Sequence, residues 1–489
     1  MSTSANDPAG LVGSLLRKMS GQAGAGQTGG GQPGGSYKGA SSAFTDRAPS
    51  WAVLHSTWSE QATEEERQFR TLLASGRLPH AHASASKRLF DLPDGQEPRC
   101  VLYRDTASWC PYSEKVWLVI EEMRVPYTVE KVNMNCYGDK PKWFWAMQPS
   151  GGIPVLKLDG RVIKESNDIV WALEEAFPDR ALLPHADAAK MARVMPLLSL
   201  EREAFSAWFR WLPSASNHGA NMVNMQAVLR RVDEELKLGG GPFFLGAEFS
   251  LVDAFFAPFL ERMAASLPYY KGLRLRDSEY ARIEAWFVAM EARPSYRHIQ
   301  SDYYTHVHDL PPQIGGCQFG GEHARFSEAI DGADGVSWTL GGLADEASTL
   351  GRLQPSMGLE YTAEAARREA AERLTHNHAN VARFAARGLG RPGVPPVSAA
   401  LSDPRATHDE ASLPQVDAAL RHVVHALLEG PAAAEASLSQ GLDPRAAAAS
   451  LGYLRDRVSV PRDMSYPAAR QLRAHLNWGI EAVGAASAG

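Results

Sequence analysis

Apolar positions along this chain follow two rhythms. Between residues 97 and 184, short apolar runs alternate with amphipathic stretches. Cys100-Val101-Leu102-Tyr103 reads as a strand and Val116-Trp117-Leu118-Val119-Ile120 as a helix. Tyr127-Thr128-Val129-Glu130-Lys131-Val132 and Arg161-Val162-Ile163 read as strands, and Ile169-Val170-Trp171-Ala172-Leu173 as a helix. From 185 to 304 the period is helical. Phe205, Trp208 and Phe209 share one face there, suited to core packing or to the pocket of a second substrate. Ser250-Leu251-Val252-Asp253 forms a capping-box variant at the start of an apolar helix, and Thr63-Glu64-Glu65-Glu66 is a capping box opening a helix to about Ala74. Past residue 309, helices are expected over 362–387 (broken near His376), 413–428, 444–458 and 466–483.

The punctuation between these elements carries the chemistry. Cys110-Pro111-Tyr112-Ser113 stands where the first strand turns into its helix. Proline suits the first helical position, because its missing N–H would have had no intrahelical partner. The helix N-terminus is partially positive and is expected to favour thiolate over thiol at Cys110, with Lys115 adding to that field. A lone cysteine on an apolar strand–helix unit is by itself usually a core residue. Two further features speak for a site. The spacing is that of a Cys-x-x-Cys redox motif with Ser113 in the second place. Downstream come Gly151-Gly152-Ile153-Pro154-Val155-Leu156 and then Lys164-Glu165-Ser166-Asn167-Asp168.

The combination reads as a thioredoxin-like fold with a thiol-tripeptide site. The Ile153-Pro154 bond is expected to be cis, which lets Ile153 offer its N–H and C=O to an extended peptide. Amides and a hydroxyl at the helix start after Glu165-Ser166 suit a carboxylate, and Glu165 can accept from an ammonium. Together they match an α-amino acid head group such as the γ-glutamyl end of glutathione; taken alone, Glu165-Ser166 is also an ordinary cap.

From about Arg99 to Pro184, and more loosely to about Asp302, the chain resembles the cysteine-type glutathione transferases, nearest the omega and lambda classes and the plant dehydroascorbate reductases. Cys-Pro-Tyr-Ser resembles their catalytic motif, and Asp139-Lys140-Pro141-Lys142-Trp143-Phe144 resembles an omega-class segment. The resemblance implies an α/β plus all-α architecture: a thioredoxin-like domain followed by an all-helical domain. It also implies a mixed-disulfide cysteine at Cys110, Lys140 near the glycyl carboxylate of glutathione, Ile153 before cis Pro154 pairing with the cysteinyl backbone, and Glu165 with Ser166 at the γ-glutamyl end. Glutathione is then the co-substrate and a small or protein thiol or disulfide the acceptor, with no metal. A non-catalytic binding or assembly scaffold on the same fold is the alternative.

Composition narrows this further. At 489 residues the chain holds several domains, and a net charge of −6 without a large basic run speaks against nucleic-acid binding. Four cysteines do not make a disulfide framework, which suits a reducing compartment. No apolar run is long enough for a membrane span. The organisation expected is a disordered tail or transit segment at 1–57, a helix and linker at 58–96, the thioredoxin-like glutathione-binding domain at 97–184, and the all-helical domain at 185–309. A linker at 310–330 and an α-helical extension at 331–489 follow, the latter open to a protein partner. The first fifty residues hold Asp7 and Asp46 as their acids among many Gly and Ser, pointing to a chloroplast or other organelle, with a plain flexible tail and cytoplasmic location as the alternative. Cys136 is expected as a partly exposed bystander, Trp143, Phe144 and Trp145 as core with one of them lining the acceptor pocket as the alternative, His80 and His82 as solvated loop residues, and the pairs His422/His425 and His376/His378 as non-ligands.

Overall fold

A computed structural model describes residues 44–345, 347–354, 361–396 and 399–488. The expected tail lies outside the described residues as far as 43, and its remainder is corrected. Ser50 caps helix α1 (Trp51–Gln61) by accepting from the Val53 amide. Leu54 and Trp58, four apart on one face, are buried against Ala370, Leu374, Val423 and Leu427 from the far end of the chain. Helix α2 (Glu64–Ser75) starts at the expected capping box, with Thr63 and Glu66 each bonding the other's backbone amide.

The expected linker before residue 97 contains a strand, β1 (Lys87–Arg88). Its cause is electrostatic: the Arg88 guanidinium meets the Glu121 carboxylate at 2.8 and 2.9 Å in a fully buried fork. Then follow β2 (Cys100–Asp105), α3 (Pro111–Glu122), β3 (Tyr127–Val132), α4 (Lys142–Met147), β4 (Val155–Leu158), β5 (Arg161–Ile163) and α5 (Ser166–Ala176). The five-stranded sheet has the order β1-β3-β2-β4-β5. β2 runs parallel to β3 and antiparallel to β4, with Leu102 opposite Val129 on one side and Leu156 on the other. This is the thioredoxin-like architecture, with β1 added at its edge.

The helical part contains α6 (Ala188–Trp211), α7 (His218–Gly239), α8 (Leu251–Lys271), α9 (Ala281–Glu291), α10 (Pro294–Arg297) and α11 (Tyr303–Ile314). Every residue of α8 is buried, and α3 and α11 pack on it. The Ser250–Asp253 capping box is formed, and Asp253 also accepts from Trp286 Nε1 at 2.9 Å. The linker expected to open at residue 310 begins later, because α11 runs through Pro311 and Pro312. Pro311 has no N–H for the Val307 carbonyl, and the Tyr270 hydroxyl donates to that carbonyl instead, at 2.6 Å. A further helix, α12 (Ala324–Ile330), ends that stretch and leaves 315–323 as the connection.

The extension is helical: α13 (Thr349–Leu353), α14 (Ala363–His376), α15 (His378–Ala385), α16 (Leu413–Glu429), α17 (Pro431–Ala436), α18 (Pro444–Arg455) and α19 (Tyr466–Ala488). The break after His376 falls where the pattern weakens. The extension docks on α11 through a buried Arg473–Asp302 ion pair at 2.6 Å, a Val460 amide bonded to Thr305 Oγ1 at 3.0 Å, and the Tyr304 hydroxyl on the Asp456 carbonyl at 2.9 Å. Among the described residues no helix is long and apolar enough to cross a membrane.

Candidate functional site

Cys110 is the N-cap of α3, with extended backbone (φ −72°, ψ 117°) and Pro111 at the first helical position. Its Sγ lies 3.7 Å from the Ile153 carbonyl, and the Ile153-Pro154 bond is cis. The loop reaching this point needs a glycine. Gly151 has φ +69°, and a Cβ there would meet the Trp145 ring at 2.7 Å. The cysteine that follows β2 and the cis peptide that precedes the adjacent strand β4 are thus brought together at the same place.

The electrostatics differ from the expectation of a lowered thiol pKa. Cys110 is 6% exposed. Burial and the nearby Asp105 carboxylate push the thiol up to about 11, against the Ser113 hydroxyl and the Ser113 and Tyr112 amides, which favour the thiolate. Desolvation outweighs the helix end here. Asp105 is fixed in place by accepting the Trp109 amide at 2.6 Å.

Two lysines lie within electrostatic reach of the sulfur. Lys115 is buried, bonds Asn167 Oδ1 at 2.5 Å and sits 4.4 Å over the Phe255 ring; burial drives its pKa down to about 7. Glu165, exposed at the N-cap of α5, is one of the charges acting on it. Ser166 is buried at the first position of α5, and Glu165 makes no side-chain cap bond, so neither serves as the ordinary cap. Lys140 is also buried; its ammonium donates to the Asn133 carbonyl, and burial lowers its pKa while Cys110 opposes that. Lys140 therefore stands on the loop side of the sulfur, and Glu165 with Ser166 on the α5 side.

The aromatic cluster after Lys140 divides. Phe144 is fully buried, as expected, but Trp143 and Trp145 are 49% and 42% exposed, a correction to their placement in the core. The helical domain supplies a second wall. Tyr112 packs edge-on to Phe259 at 5.8 Å, Phe205 to Phe259 at 5.0 Å, and the Arg202 guanidinium lies 4.6 Å over Phe205. Cys136, partly buried, has its thiol pushed up to about 12 by burial.

Other candidates resolve simply. His80 is half-buried and stacks on His298 at 3.6 Å, which corrects its placement as a solvated residue. His422 bonds the Ser439 hydroxyl at 2.9 Å, and His425 bonds Glu429 at 2.7 Å.

A charged network behind the cysteine was not read from the sequence. Glu114, in the first turn of α3, pairs with Arg262 of α8 at 2.6 Å, and Arg262 also donates to the Trp109 carbonyl at 2.7 Å. Glu261 meets His306 Nε2 at 2.5 Å, and Asp309 lies one turn on. All are fully buried. The signal was present in Glu261-Arg262, a charged pair inside an otherwise apolar helix, since buried charges require partners.

Comparisons with known proteins bear on the same stretches. Residues 109–176 match the family "Glutathione S-transferase, N-terminal domain" and residues 219–289 match "Glutathione S-transferase, C-terminal domain". "Glutathione S-transferase DHAR2" of Arabidopsis thaliana is 29% identical over 40% of this chain and 86% of its own length. "Glutathione S-transferase omega-2" of Homo sapiens is 30% identical over 35% of this chain and 70% of its own. Among solved structures, glutathione transferase Omega 3C of Trametes versicolor is 28% identical with a TM-score of 0.37, covering 42% of this chain and 91% of that one. With its cysteine-capped helix, its two matched domains and the human relative at that identity and coverage, this chain belongs to the glutathione S-transferase family.

Proposed function

We propose that the protein is a glutathione-dependent thiol transferase or reductase working through a mixed disulfide at Cys110. The observation that carries this is the sulfur at the N-cap of α3, 3.7 Å from the carbonyl before cis Pro154. In this reading Ile153 pairs with the cysteinyl backbone of glutathione, Glu165 and Ser166 hold its γ-glutamyl end, and Lys140 faces its glycyl carboxylate. The relatives named as glutathione transferases support the class.

The steps balance as two thiol–disulfide exchanges. The Cys110 thiolate attacks the glutathionyl sulfur of a mixed disulfide, the S–S bond breaks, and the acceptor leaves as a thiolate. A second glutathione thiolate then attacks the Cys110–glutathione disulfide, releasing oxidised glutathione and restoring Cys110. Ser113 supplies no resolving thiol, so the route is monothiol. Because the thiol is held high, the rate of the first step rises about tenfold per pH unit between pH 7 and 9. An organellar location is the companion reading, supported by the acid-poor N-terminus, with the cytoplasm as its alternative.

The burial of Cys110 favours a second reading, a binding or assembly scaffold. Intact mass after incubation with oxidised glutathione separates the two. The expected result is one glutathione adduct that disappears in Cys110→Ser and is reversed by reduced glutathione. No adduct, or one spread indifferently over Cys136 and Cys317, sinks the enzymatic reading.

A further inference from the structure

Away from Cys110, a cavity of about 860 Å³ opens among the helices of the extension. That volume falls in the range of small-molecule sites. Six arginines line it: Arg70, Arg373, Arg383, Arg387, Arg457 and Arg462. Three are matched by acids. Arg70 and Arg373 share Glu372 at 2.7 Å each, and Arg462 meets Asp463 at 2.8 Å.

Arg383, Arg387 and Arg457 are different. Among the described residues none of them pairs with a carboxylate. Arg387 donates to the Asp403 carbonyl at 3.0 Å and Arg457 to the Tyr453 carbonyl at 3.3 Å, both bonds to neutral acceptors. Their planes are held by aromatic faces: Arg387 lies 5.1 Å over Phe384, and Arg457 3.6 Å over Tyr453. Arg457 and Arg373 each retain a buried Nε with no acceptor. The carboxylate of Asp403 is the one further acid on this wall, and it accepts from the Gly393 amide. Arg387 and Arg457 are therefore oriented with no carboxylate to answer them, and Arg383 stands exposed beside them.

The rest of the cavity is not charged. Val381, Phe384, Leu401 and Leu454 form an apolar side. Asn380 Nδ2 donates to Asn377 Oδ1 at 2.7 Å, which leaves Asn377 Nδ2 and Asn380 Oδ1 for other partners. Guanidinium forks match phosphate oxygens two at a time, and three of them exceed what a single carboxylate would balance.

We infer that this cavity binds a phosphorylated small molecule of nucleotide size, its phosphates on Arg383, Arg387 and Arg457 and its uncharged part on the apolar side between Phe384 and Leu401. None of the residues proposed to hold glutathione lines this cavity, although Arg462 on its wall also lies 5.0 Å over Trp109, and the inference does not depend on the function proposed for the thiol site.

The test is calorimetric titration of the full chain with adenosine triphosphate, tripolyphosphate and adenosine. Adenosine triphosphate is expected to bind saturably, more tightly than tripolyphosphate, with adenosine far weaker. Affinity should fall at least about tenfold in the Arg387→Gln/Arg457→Gln double variant and on raising salt from low to high, since the attraction is screened. Cys110→Ser should leave it unchanged. Arg383 is exposed, so Arg383→Gln keeps the fold and still weakens binding about threefold or more, which preserves the test if the double variant is unstable. Absence of saturable binding, or equal affinity in the arginine variants, overturns the site. Tripolyphosphate binding as tightly as adenosine triphosphate overturns the nucleotide-sized assignment.

Discussion

Two clusters of guanidinium groups, one behind the cysteine and one in the cavity of the extension, are answered in different ways. Around α3 and α8, guanidiniums are sealed from water and answered by carboxylates: Arg262 is 0% exposed against Glu114 at 3%, and Arg88 is 2% exposed against Glu121 at 3%. In the extension, Arg383, Arg387 and Arg457 line a cavity and bond carbonyls or nothing. Packing follows the same division. The core around the sheet and α8 is built from Trp, Phe and Tyr side chains, whereas the extension packs Ala370, Ala385, Leu420 and Leu451 in closely spaced helices. The first arrangement is rigid and intolerant of losing a partner. The second leaves guanidinium groups without a carboxylate, which is what an anion-binding surface requires.

The largest effect should come from separating the two units. Deleting Gly315 to Gly489 strands Asp302, 1% exposed, without Arg473, and uncovers Leu54 and Trp58. The expected outcome is insoluble or unfolded protein, since the loss exceeds the roughly 5–15 kcal/mol that holds a typical domain. A soluble fragment with native circular dichroism would mean the units are independent.

Next in size is Arg262→Met, which above pH 8 leaves the Glu114 carboxylate buried and unanswered, at a cost of about 3–5 kcal/mol in thermal or denaturant unfolding at that pH. Adding Glu114→Gln should recover much of that. The pH dependence has a definite sign. Burial and Glu261 push Glu114 up to about 8, so the folded state keeps a proton that the unfolded carboxyl releases near its ordinary 4.5. Stability contributed by this group therefore falls as pH rises from about 4.5 to 8, and Glu114→Gln should flatten that slope; an unchanged slope would remove Glu114 from the account. The smallest effect belongs to the extension. Arg383→Gln should shift stability by no more than about 0.5 kcal/mol, although it weakens anion binding.

Sequence reading reached the elements whose residues signal locally. The Cys-Pro turn, the Gly-Gly-Ile-Pro loop, the two capping boxes and the helices of the extension announce themselves over a few positions. It missed what depends on partners far along the chain. Lys87 and Arg88 pair with β3 because Arg88 finds Glu121, and nothing in the loop's own composition says so. Trp51-Ala52-Val53-Leu54 is helical because distant helices cover it. The Cys110 pKa was misjudged for a related reason: the helix end is local and visible, whereas the burial that outweighs it comes from the whole assembled domain. Contacts between the extension and the site were equally hidden, among them Arg462 stacked 5.0 Å over Trp109 and Arg405 at 3.4 Å from Asp139, beside Lys140.

The docking of α1 has a consequence for how the protein is made. The Arg47 amide bonds Ser439 Oγ, 392 positions away, and Leu54, Trp58 and Ala62 complete a core whose other members lie between Ala370 and Leu476. The helical unit is thus discontinuous, with the transferase fold spliced into it. On a ribosome the inserted domain emerges whole and can fold while its host is still a fragment. For that interval the apolar face of α1 has no cover, which leaves Leu54 and Trp58 open to a chaperone or a protease.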